Sequence, residues 1–254
     1  MRCVVGLLPD YSRQAEHYDD TRSASPSVLR PLCEALSGTS GRQLVDIGGG
    51  TGNYALALQK LGWEPVVVDR SPHMLVRAAA KRLPVVEADA EHLPIGDGSF
   101  DAAIMISMLH HVRNQRGVLS EGRRVLRDRG VLVLLGFTGE DARSLWVLDY
   151  FPSSRSWIEQ THPPRASFLE ELPGARMADF RYEDTEDASL AALSADPGRV
   201  LEAGEVGATS YFERMQRDHG DELRAGLVRL RQDIELGRAP RRAGTATMLC
   251  WRKD

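Results

Sequence analysis

The sequence predicts an α/β protein: a mostly parallel sheet with helices on both faces, interrupted late by a mainly helical insertion. Three observations predict it. Between residues 43 and 137, short apolar strands alternate with helices, and strands apolar throughout are those buried on both faces of a parallel sheet. A glycine-rich run joins the first of these strands directly to a helix. After residue 137 the alternation stops, and a Pro-broken, charge-rich stretch runs to residue 242 before one more apolar strand.

The elements follow in order. Ser25-Pro26 opens a helix, because a serine side chain caps free N–H groups and proline suits the first turn. Val28, Leu29, Leu32 and Leu36 recur at helical spacing up to Gly38. Gln43–Ile47 is a short buried strand that runs into the glycines. Asn53–Leu61 is a helix closed by Gly62, and Glu64–Asp69 is the second strand. Ser71-Pro72 repeats the cap and first-turn proline for a helix over His73–Lys81. Pro84–Glu87 and Asp101–Ser107 are the third and fourth strands, a helix spans about Gln115–Arg127, and Val131–Phe137 is the fifth strand. Later, Leu223, Leu227, Leu230 and Ile234 share one helical face. Thr245–Trp251 reads as a last strand that returns to the sheet. The expected organisation is a core over 1–137, a lid and substrate-binding segment with late core elements over 138–242, and a final core strand over 243–254.

Composition narrows the function. Hydrophobic residues make up 42% and charged residues 27% of the 254, and the formal net charge is −4. That balance excludes wholesale disorder and argues against a phosphate-tracking nucleic-acid surface. The apolar runs fall far short of the ~20 residues a membrane helix needs, and Val4–Leu8 is too short for a signal-peptide core. Three cysteines, Cys3, Cys33 and Cys250, form no C-x-x-C and no metal or disulfide spacing. The expectation is a cytoplasmic protein without a metal, acting on a small molecule as a monomer or homodimer, away from nucleic acid and membrane.

The run Asp46-Ile-Gly48-Gly49-Gly50-Thr-Gly52 fits D-x-G-x-G-x-G. Glycines let backbone pass close to a ligand, and a helix N-terminus offers free N–H groups. The acidic Asp46 would repel a pyrophosphate and suits a ligand with a cationic ammonium. Asp69 ends the second strand, where a carboxylate can accept from both ribose hydroxyls. Asp89 follows the third strand and can accept from an exocyclic adenine amine. Each aspartate alone reads as a strand-end cap; in register at successive strand ends beside the glycine loop, they read as one binding site.

These residues resemble the class I S-adenosylmethionine (SAM)-dependent methyltransferases, in the broad ubiquinone/menaquinone-biosynthesis-type group. The matching pieces are LVDIGGGTGNYALAL at 44–58, VVVDRSPHML at 66–75, VVEADAEHLPIGDGSFDAAIMISMLHHV at 85–112 and RVLRDRGVLVLLGF at 124–137. TSYFERM at 209–215 and RLRQDIELG at 229–237 match more weakly. The resemblance implies a Rossmann-like sheet of seven strands and SAM as cofactor, leaving S-adenosylhomocysteine. It implies that Asp46, Gly48, Gly49, Gly50 and Gly52 hold the methionine end, that Asn53 also binds the cofactor, and that Asp69 binds the ribose. Arg70 and Met74 would flank the adenine, and Asp89 with Ala90 would read its edge. Glu91 and Ser107 join the same set, and Tyr18 and Arg22 would fold over the cofactor.

Methyl transfer is a displacement that depends on in-line positioning, and a general base is needed only for a protonated nucleophile. His110 and His111, after the fourth strand at the carboxyl end of the sheet, are the candidate bases, with Tyr18 and Tyr150 as rivals. Ten of the 16 aromatic residues fall within 137–212, which suggests a lid lined for a flat or apolar acceptor. A short-chain dehydrogenase would need Y-x-x-x-K, which is absent. An amino-methyltransferase of nucleic-acid bases would need Pro-Pro-Tyr/Phe after the fourth strand, where Ile-Ser-Met-Leu stands. The remaining alternative is a SAM-binding scaffold with a cyclase-like or regulatory role.

Overall fold

The computed structural model describes residue 19 and residues 22–254. Its strands are β1 Gln43–Ile47, β2 Glu64–Asp69, β3 Val85–Glu87, β4 Phe100–Ile106, β5 Leu126–Gly136, β6 Arg176–Arg181 and β7 Thr245–Arg252. They form one seven-stranded sheet in the order β3-β2-β1-β4-β5-β7-β6. The strands β1 to β5 run parallel, and β7 runs antiparallel to both β5 and β6. The fold is the expected α/β, Rossmann-like one.

Helices α1 Pro26–Leu36, α2 Asn53–Lys60, α3 Pro72–Ala80 and α4 Gln115–Arg124 cover the parallel part. Successive strand residues point to opposite faces, and the packing follows that rule. Leu44, Ile104, Val131 and Val133 meet Leu32 and Leu36 of α1 and Leu58 of α2. Their neighbours Val45, Ala103, Met105 and Leu132 meet Val118 and Leu119 of α4. Ser25 and Ser71 accept from the N–H groups of Val28 and Met74, so both predicted serine caps are present.

Two elements differ from the sequence expectation. Helix α4 stops at Arg124, three residues short of Arg127, because Leu126 is fully buried and begins β5 opposite Phe100, with a bulge in the register. The strand β6, RMADFR, lies inside the stretch read as helical. Among the described residues it is an edge strand paired with β7 alone, and Arg176, Asp179 and Arg181 keep it exposed. A charged edge strand carries no buried-strand signal.

The insertion builds a core against the sheet, shared with Val28, Leu135 and Ala246. Trp146, Phe151, Phe212, Met215, Leu223 and Leu230 are all buried in it. The long helix Ser210–Glu235 kinks at His219, whose φ of −144° and ψ of 41° are not helical. Trp146 Nε1 donates to the carbonyls of Ser194 and Arg242, each at 3.1 Å, and so ties both ends of the insertion together. Tyr150, a rival base, donates its hydroxyl to Asp233 at 2.8 Å, which gives it a structural partner on the long helix.

The strand order reverses between β1 and β4. Loops leaving the carboxyl ends of those two strands diverge, and such a crevice is where open α/β sheets hold ligands.

Candidate functional site

The loop after β1 turns on three glycines with left-handed backbone, Gly48 at φ +69°, Gly50 at +56° and Gly52 at +74°. Side chains rarely adopt that conformation. Gly49 is required for a different reason. A Cβ there would sit 2.5 Å from Cγ of Asp46, so the loop backbone lies directly on the Asp46 carboxylate. Behind the loop, Asp69 fixes it: Oδ2 accepts from Gly50 N at 2.9 Å, and Oδ1 accepts from Ser71 N at 2.9 Å.

A cleft with about 470 Å³ of empty space, its open mouth included, lies against this loop. Arg22, Asp46, Gly48, Gly49, Gly50, Asn53, Tyr54, Ser107 and Asp187 line it. Asp46 is 2% exposed and Asp187 5% exposed. Burial, followed by repulsion from Asp69, raises the Asp46 carboxyl to about 7. An ammonium placed beside it would offset both effects and restore the carboxylate. Burial also pushes the Asp69 carboxyl up, opposed by its bonds from Ser71 and Gly50.

Ser107, the first residue after β4, holds a left-handed φ of +53° without being glycine. Such strain persists where the surroundings over-determine it, commonly at functional sites. Here Ser107 N donates to the Leu135 carbonyl at 2.8 Å.

The structure brings together Arg22, Asp46, the glycines 48–50, Asn53 and Ser107 in one cleft. Gly52 caps α2 and packs on Leu83, whose Cδ1 a Cβ would approach to 2.5 Å. Asn53 also clasps the chain entering the core, donating to the Arg22 carbonyl at 3.0 Å and accepting from Lys81 Nζ at 2.6 Å. Asp69, Arg70 and Met74 follow one strand away, at the end of β2 and the start of α3. Asp89 lies after β3, exposed, with Oδ1 accepting from Glu91 N at 2.9 Å. Ala90 is buried. Glu91 accepts from Arg113 N and Asn114 N, which joins the loop after β3 to the loop after β4. Tyr18 lies outside the described residues.

His110 and His111 sit in one 3₁₀ turn, Leu109–His111, after β4. Their ring centroids are 3.7 Å apart, and His110 stacks on His162 of the insertion at 5.1 Å and 14°. Phe137 meets His162 edge-on at 6.0 Å. Burial is the main force lowering all three imidazoles. Arg70 and Arg22 press further on His111, which falls to about 3. The pair therefore stands neutral at neutral pH.

Sequence reasoning missed Tyr54, Asp187 and His162. Tyr54 directly follows Asn53 on α2, where its helical position hid its place in the cleft. Asp187 lies in the acidic run 183–187, more than 130 residues after the loop it joins, and an acidic run reads as a solvated face. Only the return of the insertion over the sheet brings it in.

Comparison with known proteins finds similarity to methyltransferases. A methyltransferase domain model matches residues 45–134. The demethylmenaquinone methyltransferase of Beutenbergia cavernae is 33% identical over 177 residues, covering 66% of this chain and 74% of its own length. That of Tropheryma whipplei is 32% identical over 137 residues, covering 50% of this chain and 57% of its own. The chain spans about half the length of the first curated relatives it matches. Among solved structures, a protein described as a methyltransferase of an antibiotic biosynthesis pathway in Anabaena variabilis superposes with a TM-score of 0.77. Its sequence identity is 24%, and the match covers 91% of this chain and 98% of that one. No helix among the described residues is long and apolar enough to cross a membrane.

Proposed function

The chain belongs to the class I SAM-dependent methyltransferases, and from that premise we propose that it methylates a small, flat or apolar acceptor on oxygen, nitrogen or carbon. One observation carries this reading: a glycine cradle at the strand-order switch, closed by two buried carboxylates and Arg22. Those groups fit the zwitterionic amino-acid head of SAM, with Arg22 suited to its carboxylate and Asp46 to its ammonium. In this reading Asp69, at the end of β2, accepts from the ribose and Asp89, after β3, from the adenine edge. When bound, SAM supplies an electrophilic methyl group on a cationic sulfur.

The chain's own task is then positioning and exclusion of water. The acceptor is read from the insertion, because the matched domain model ends at residue 134, before the insertion begins. His162 of the insertion stacks on His110 and meets Phe137 edge-on, and aromatic walls of this kind suit a flat ring. The quinone-type acceptor named for the curated relatives belongs to this class and heads the candidates. The reading is tested by incubating the protein with SAM and a panel of apolar and aromatic acceptors. A product heavier by one methyl, with S-adenosylhomocysteine in equal amount, is expected. SAM binding with no such product from any acceptor, quinols included, would favour a non-methylating role.

The two histidines after β4 act in this reading as neutral, desolvated walls rather than as bases. Burial holds His110 well below the usual imidazole range and brings His111 to about 3, and so weak a base has little pull on a proton at neutral pH. His110→Ala and His111→Ala are expected to keep kcat within about tenfold of wild type, with flat profiles from pH 6 to 9. A loss of ~10²–10⁴-fold in kcat at unchanged SAM affinity would instead mark a true base.

A further inference from the structure

Two segments far apart in sequence are fastened together over the glycine cleft. Ser23 N donates to the Glu186 carbonyl at 2.9 Å. Ser25 Oγ and Ser27 N both donate to Asp184 Oδ2, at 2.8 and 3.2 Å. On its other side the same strap is tied to the loop: Lys81 Nζ reaches Asp19 at 2.9 Å, and Thr51 Oγ1 donates to Asp19 at 2.6 Å. The acidic run of the insertion is thus bound to the chain that enters the core, and it places Asp187 in the cleft wall.

Asp187 is not a surface charge. It is 5% exposed, its Oδ2 accepts from Tyr54 Oη at 2.5 Å, and its Oδ1 accepts from Ser189 N at 3.2 Å. Tyr54 comes from α2, the helix the glycine loop opens into, so the donor that orients Asp187 belongs to the cofactor half. An ionised carboxylate offers about four lone-pair sites, and these two bonds leave capacity for a further donor. Asp187 and Asp46 line the same cleft, with Arg22 as the cationic group among its lining residues. Two buried carboxylates and one guanidinium complement an α-amino acid head, whose ammonium needs more than one acceptor.

We propose that Asp187 is a cofactor-recognition residue supplied by the insertion: oriented by Tyr54, it accepts from the α-ammonium of the methionine end of SAM. This rests on the proposed use of SAM. It also means that the insertion helps build the cofactor site as well as the acceptor site, so that cofactor binding fastens the roof.

The test compares two ligands by calorimetric titration. S-adenosylhomocysteine carries the amino-acid head; 5′-methylthioadenosine has the same nucleoside and thioether without it. Asp187→Asn is expected to weaken S-adenosylhomocysteine by about 10- to 100-fold, the loss of a charge-assisted bond, and to leave methylthioadenosine within about threefold. Tyr54→Phe, which keeps the ring packed, is expected to show a smaller loss with the same selectivity. Unchanged S-adenosylhomocysteine affinity in both variants, or equal weakening of both ligands, would overturn the proposal. A wild-type protein that binds methylthioadenosine but neither SAM nor S-adenosylhomocysteine would overturn it too. Failure of wild type to bind any of the three would instead remove the SAM reading itself.

Discussion

Replacing Asp141 by alanine is expected to lower stability by about 3–5 kcal/mol, the cost of removing one partner from a buried ionic network. Asp141 lies in the short helix Gly139–Arg143 that begins the insertion, and its side chain is fully buried. Oδ2 accepts from Thr138 N at 3.0 Å, from Thr138 Oγ1 at 2.7 Å and from Thr247 Oγ1 at 2.7 Å. Oδ1 takes Arg165 Nη2 at 2.9 Å, and the same guanidinium reaches Asp179 of β6 at 2.7 Å. One carboxylate therefore joins the end of β5, the last strand β7, the edge strand β6 and the insertion.

Alanine would leave a buried N–H, two hydroxyls and a guanidinium with a missing acceptor. Thermal unfolding should then show Tm lower by on the order of 10 °C. Burial opposes the charge on Asp141, but the bonds from Thr247 and Thr138 and the nearby Arg165 outweigh it and hold the carboxyl below its usual range. The stabilisation is accordingly full above the unfolded carboxylate pKa of ~4 and lost as pH falls through the lower folded value. The difference in Tm between wild type and Asp141→Ala should shrink on acidification below pH ~4. A variant that melts within about 2 °C of wild type at pH 7 would show that the junction is carried by other contacts.

What the sequence made legible follows from how each element is buried. The strands β1, β2, β4 and β5 are covered on both faces, so Val66–Val68 or Ala102–Ile106 read as strands without any partner in view. The glycine loop was equally plain, because left-handed turns and a close carboxylate leave glycine as the fitting residue. The edge strand β6 was not legible, since its charges are its protection. The insertion was legible as an interruption, but its aromatics were not separable by sequence. Phe151 and Phe212 are fully buried in the core it shares with the sheet, whereas Phe137 and Trp157 are partly buried at its margin. Asp69 and Asp46 could be chosen from strand ends, but Asp187 could not. A residue that joins a site through tertiary return has no local periodicity or spacing to announce it.

Replacing Asp69 by alanine is expected to weaken SAM binding by ~1.5–3 kcal/mol, about 10- to 150-fold in Kd. The direct part, in the proposed SAM reading, is the loss of an acceptor for the ribose hydroxyls at the end of β2. The structure adds a second part. Asp69 is also the strut of the cradle, because its two oxygens hold Gly50 N and Ser71 N. With alanine there, the loop at Gly50 and the first turn of α3 lose a common acceptor, and the cradle is less well fixed before the ligand arrives. A third part has the opposite sign. Asp69 helps to raise the Asp46 carboxyl, so its removal lets Asp46 ionise at lower pH and favours a bound ammonium. That gain is one electrostatic contribution among several, with burial the larger cause, and it offsets only a fraction of the loss. Asp69→Asn separates the parts, since the amide oxygen can still brace one backbone N–H while the charge is gone, and its affinity should fall between wild type and Asp69→Ala. Calorimetric titration of the three proteins with SAM checks this order. Wild-type affinity in Asp69→Ala would remove the residue from the site, and equal losses in both variants would assign the whole effect to charge rather than to the strut.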